Sequence, residues 1–175
     1  MADPLSPTGV VGAPVVVVSD EQATVAVDAS RWAALARDVL VAEGRVGELT
    51  LTFVERADIS ELNREHMGVD GPTDVLSFPL DAADDAPPVA GVPVLLGDVV
   101  VCPEVAAAAA PEHAGTLDDE LALLVVHGVL HVLGHDHAEP EETTRMRAAE
   151  LDHLKRLHWH GPAPAGFRQE QEAYR

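Results

Sequence analysis

Between Leu121 and Leu133 the chain carries 13 nearly apolar residues broken only by His127 and His131. A stretch of that length is too short to cross a bilayer, so it has to be buried inside a folded domain. Preceded by Thr116 and Asp119, which resemble a capping box, it reads as a helix from Leu117 to Leu133, apolar on nearly all sides after its first turn. The rest of the fold must be wrapped around this helix. His127 and His131 stand four residues apart and therefore share one of its faces, one turn apart.

Four of the nine histidines fall within His127–His137. The spacing His127-x-x-x-His131-x-x-Gly134-x-x-His137 reads as a helical pair, a glycine stop and a third ligand brought back by the turn. A continuing helix would lift His135 about 12 Å above His127. Both could not then reach one ion at ~2.0–2.1 Å, which favours His137 as the third ligand. Three imidazoles suit Zn²⁺ and leave a fourth position open, as catalytic sites require. His135 is expected to line a groove or support a ligand. The bland alternative, core histidines satisfied by carbonyls, would need a buried partner for each ring. Zinc peptidases of the H-E-x-x-H type place their general base right after the first histidine; here that position is Gly128.

The chain has 175 residues, enough for one domain. Aromatic residues make up 3%, so Val, Leu and Ala must build the core. A lone cysteine, Cys102, excludes an internal disulfide framework and fits a reducing cytoplasm. Residues 1–10 show no basic region followed by an apolar stretch, so no signal peptide is expected. Eleven Lys and Arg face 30 Asp and Glu, a net charge of −19. That opposes a general nucleic-acid binder but leaves room for a local basic groove. With Lys155 the only lysine, phosphate contacts would fall to arginines.

Residues 1–14 read as a mobile tail, 15–158 as the folded domain and 159–175 as a C-terminal tail. Val15–Val18 and Glu48–Val54 read as strands, with Thr24–Val27 a candidate extension of the first. Ser30 is expected to cap a helix from Arg31 to Ala42, and Asp58 a short helix through Glu65. Strands are expected at Asp74–Phe78 and Val94–Val101, with an acidic loop at 81–88 between them. Pro103 opens a helix to about Ala110, and Pro140 a last one to about His158. The expected fold is α+β: a small mixed sheet packed with about five helices, the metal site lying on a buried helix.

The motif from His127 to His137 resembles the signature of the YbeY endoribonuclease family, also called the ribosomal RNA maturation factor family. Two further blocks agree and occur in the family's order: Leu62-Asn63 followed by Asp70-Gly71-Pro72-Thr73-Asp74-Val75-Leu76-Ser77-Phe78-Pro79, and Leu96-Gly97-Asp98-Val99-Val100-Val101-Cys102-Pro103-Glu104. The resemblance covers roughly residues 15–158. It implies one zinc held by His127, His131 and His137. It implies a single-strand-directed endoribonuclease acting in small-subunit ribosomal RNA maturation and ribosome quality control. Ribosomal RNA, and ribosomal proteins or an assembly GTPase, are the implied partners; no membrane is involved. One departure matters. Where the family often has Tyr-Arg, this chain has His66-Met67, and Met67 cannot bind phosphate as the arginine would: either another arginine serves, Arg56 and Arg64 being nearest in sequence, or this branch works differently.

Asp136 is a candidate helper that orients an imidazole, or else a turn residue bonding its own main chain. Asp74, Ser77, His135 and Arg64 are candidates for the substrate groove, while Asp98 reads as structural. Two other functions compete. A peptidase or amidase would need Asp136 or Glu104 as its base. A ribosome-assembly module with structural zinc predicts that His131→Ala unfolds the protein.

Overall fold

Strict alternation builds the sheet. In Glu48–Phe53 (β2) the side chains of Leu49, Leu51 and Phe53 are fully buried and those between them are not. The computed structural model describes residues 12–80 and 89–169. Within them four strands form one sheet: β1 (Val15–Asp20), β2, β3 (Val75–Pro79) and β4 (Leu95–Val101), in the spatial order β1-β2-β4-β3. The first three in that order run parallel, with Val15 opposite Glu48 and Leu51 opposite Val99; β3 pairs antiparallel along the outer edge of β4. The fold is the expected small α+β domain with a mixed sheet. The expected acidic loop at 81–88 and the outer parts of both tails lie outside the described residues.

Helices cover both faces. Helices α1 (Ala29–Ala42) and α4 (Leu117–Val132) share the larger core with Leu49, Leu51, Phe53, Val99 and Val101. On the opposite face Ile59 and Leu62 of α2 (Arg56–Met67) pack with Leu76, Val100 and Cys102. Helix α3 (Pro103–Ala109) leads through a short 3₁₀ turn to α4, and α5 (Pro140–His153) runs on into one π turn, Leu154–His158. As the apolar run requires, α4 is buried on nearly every side. It lies so close to the sheet that a Cβ on Gly128 would stand 2.5 Å from Val99 Cγ1. No helix among the described residues is long and apolar enough to cross a membrane.

Several local expectations are corrected. Thr24–Val27 adds no strand; the Gln22 amide accepts from Val25 N–H at 2.9 Å and donates to the Val25 carbonyl at 2.8 Å in place of a ladder. Helix α1 starts before Ser30 because Asp28 caps it, accepting from Arg31 N–H at 3.2 Å. Helix α2 likewise starts before Asp58, which falls in its first turn. Only half of the capping box at α4 forms. Thr116 Oγ1 accepts from Asp119 N–H at 3.1 Å, but the Asp119 carboxylate turns to His158 and the Trp159 indole N–H, each at 2.8 Å. Residues 159–169 are packed against the domain: Phe167 sets its edge on Trp159 with ring centroids 4.7 Å apart, and Arg168 N–H donates to the His113 carbonyl at 3.0 Å.

Candidate metal centre

The glycine stop works as its spacing demands. Gly134 has φ +100°, a left-handed conformation natural to glycine, and donates to the His131 carbonyl, while His135 N–H reaches the Leu130 carbonyl at 3.0 Å. The chain reverses and carries His137 back toward the helix. Ring centroids of His127, His131 and His137 then lie 6.1, 5.8 and 5.6 Å apart pairwise. Three imidazoles bound tetrahedrally to one zinc would have centroids about 5 Å apart. The rings are gathered, and an inward move of under an ångström each would close them. Among the described residues, no three His, Cys, Asp or Glu side chains already stand in a metal-holding group.

Two further observations fit an ion. His127 Nδ1 is engaged by Glu150 Oε1 at 2.5 Å, which makes Nε2 the nitrogen a metal would take. His131 Nδ1 is buried without a hydrogen-bond partner among the described residues. Burial, and then the like charges of His127 and His137, hold the His131 imidazole below its ordinary pKa, favouring the neutral form that ligation needs. Thr143 Oγ1 donates to the His137 carbonyl at 2.9 Å and fixes the third ring's main chain. Beside His127 and His137 a cavity of about 80 Å³ is lined also by Met146, Arg147, Glu150 and Gln169.

The other sequence candidates take varied places. The Asp136 carboxylate accepts from His137 N–H at 2.7 Å, the turn role; that bond holds its pKa below the ordinary value. Asp74 is buried. Burial first, then the Glu120 charge, push its pKa up, while His127 is near enough to pull it down. Ser77 Oγ donates to the Gly128 carbonyl at 3.2 Å and pins α4 to β3. His135 is half-buried with Nε2 3.9 Å from Glu43. Arg64 is exposed on α2, in a separate depression with Ala57, Ser60 and Asp70. Arg56 and Glu104 are bound to each other at 3.2 Å.

Thr143, Arg147, Glu150 and Gln169 escaped sequence reasoning as site residues. Glu150 and Arg147 sit on α5, where a helical i, i+3 spacing carries no chemical signature, and Gln169 falls in a stretch read as tail. Glu150 did carry one signal, a carboxylate at a position flanked by apolar residues of the helix's inner side. Gly128 gains a reason as well. A glutamate there would drive its Cβ into Val99, so packing disfavours the peptidase base at that position.

The fold is that of a small α+β domain, with three imidazoles gathered at the C-terminal end of its buried helix. A family model described as endoribonuclease YbeY matches residues 17–158, and the chain belongs to that family. It is 48% identical over 132 residues to the endoribonuclease YbeY of Salinispora tropica, covering 71% of this chain and 84% of that one. With the Pelotomaculum thermopropionicum endoribonuclease YbeY it shares 46% over 149 residues, covering 81% and 96%. The solution structure of TM1509 from Thermotoga maritima superposes with a TM-score of 0.53 at 23% identity, over 83% of this chain and 93% of that one, and shares the fold. As a member of an endoribonuclease family, the chain is a nuclease.

Proposed function

We propose that the chain is a zinc-dependent endoribonuclease that cuts single-stranded regions of small-subunit ribosomal RNA during maturation and quality control. Its setting is the cytoplasm, and its partners are ribosomal RNA together with ribosomal proteins or an assembly GTPase. The observation that carries the reading is the convergence of His127, His131 and His137 beside a cavity, with Glu150 behind His127.

The three imidazoles would hold one zinc. Bound there, zinc would supply a Lewis acid for the charge that develops on the scissile phosphate. Glu150 keeps the proton of His127 on Nδ1 and fixes the ring's orientation. Asp136 and Thr143 hold the turn that presents His137. Arg147 takes the phosphate-binding part that Met67 cannot. It is the arginine lining the cavity with His127 and His137, whereas Arg56 is spent on Glu104 and Arg64 faces another depression. Ribose specificity would come from attack by the 2′-hydroxyl or from contacts to it.

The test is cleavage of a 3′ fragment of small-subunit ribosomal RNA by purified protein, with folded His131→Ala in parallel. The variant is expected to stay folded and to lose about a thousandfold or more in rate, several kcal/mol of barrier. Equal cleavage by both proteins would overturn the reading. Unfolding of His131→Ala would favour the structural-zinc reading instead.

A further inference from the structure

Glu150 is buried, and its second carboxylate oxygen also has a partner: Gln169 Nε2 stands 3.1 Å from Oε2. The same nitrogen donates to the Arg147 carbonyl at 2.9 Å. Both amide hydrogens are thereby used on a single turn of α5, which fixes which end of the Gln169 amide faces the carboxylate. Glu150 Oε1 in turn meets His127 Nδ1. The chain of contacts runs Gln169, Glu150, His127, and Gln169 lines the same cavity as His127 and His137. Its position is fixed by its neighbours: Arg168 is bonded to the His113 carbonyl and Phe167 rests on Trp159, itself bonded to Asp119. Trp159, Phe167, Arg168 and Gln169 lie beyond residue 158, where the family match ends.

We infer that Gln169, which lies outside the matched part of the chain, is a positioning residue of the metal centre: it clamps Glu150 so that His127 is presented in one orientation. The inference rests on the proposed zinc site. A carboxylate held at one oxygen only can rotate about its last torsion; held at both, it cannot, and a ligand presented in one pose loses less entropy on binding.

The probe is Zn²⁺ itself, its affinity measured by competition with a chromophoric chelator on the full chain. The variants are Gln169→Met, which keeps length and bulk without a donor, and Gln169→Ala. Both are expected to weaken zinc binding about fivefold, less than the 10–100-fold typical of a residue that bonds a ligand directly. The zinc-free proteins should unfold at the same urea concentration as wild type. In the zinc-free state the Nδ1–H resonance of His127 should exchange faster with water in both variants. Wild-type affinity in Gln169→Met would overturn the inference, whether or not Gln169→Ala is weakened, because bulk rather than the donor would then matter. If wild type itself held no zinc, the proposed function would fall. The Gln169 link would then stand or fall on the His127 resonance alone.

Discussion

Two of the buried histidine–carboxylate pairs that helix α4 enters differ in their surroundings. Near its start Glu120 meets His113 Nδ1 at 2.7 Å; further along His127 Nδ1 meets Glu150 at 2.5 Å. Side-chain exposure hardly separates them, at 9% and 0% against 6% and 6%. What differs is the surroundings. Glu120 spends its oxygens inward, one also accepting from Ala114 N–H at 3.1 Å, and so ties the loop before α4 to the helix. His127 instead shares its space with two more imidazoles and a cavity. Burial and a carboxylate partner mark both pairs; convergence with two further imidazoles beside a cavity distinguishes the candidate metal centre.

That contrast breaks most visibly if Glu120 is removed. Glu120→Ala removes the buried carboxylate that meets His113 and Ala114 N–H and is expected to lower unfolding free energy in urea by about 3–5 kcal/mol, while the zinc affinity of the folded fraction stays within twofold. Glu150→Gln should do the reverse, weakening zinc binding by 10–100-fold in chelator competition at little cost in stability. If Glu120→Ala released zinc as strongly as Glu150→Gln, the two pairs would be one network. Between them lies Gly128. Gly128→Ala is expected to cost about 1–3 kcal/mol by overpacking against Val99, and Val99→Ala in the same chain should recover part of it.

The smallest effect is a pH dependence. Burial pulls the His113 pKa down, but the hydrogen bond and charge of Glu120 outweigh it, and the net shift is above the ordinary 6.5. A histidine raised on folding contributes stability that is complete below about 6.5 and fades as pH rises through its folded value. The stability gap between wild type and Glu120→Ala should therefore narrow as pH is raised from 6.5, in urea titrations of zinc-free protein. A gap independent of pH would mean that His113 is not charged by folding.

Much of this was legible in the residues. The glycine stop at Gly134 and the alternation of Leu49, Leu51 and Phe53 are local signals, and the structure follows them. The absent glutamate at position 128 was legible too, though its cause, the approach of Val99, is tertiary. Glu150 and Gln169 were not legible as site residues. Their roles depend on which turn of α5 faces His127 and on how residues 159–169 return across the domain, and neither follows from spacing along the chain. The Thr24–Val27 alternation misled because a side chain, Gln22, took up the Val25 N–H and carbonyl that a strand would have paired.

The clamp on His127 also has a place in time. Its parts stand at positions 127, 150 and 169, so synthesis delivers the imidazoles first and the carboxylate and amide that fix them later. Loop closure over those separations must precede any gain from the contacts. On a nascent chain the histidines therefore exist for a while with their first ring unoriented. Made by the machine whose RNA it is proposed to cut, such a protein would complete the proposed clamp only once residue 169 had been delivered.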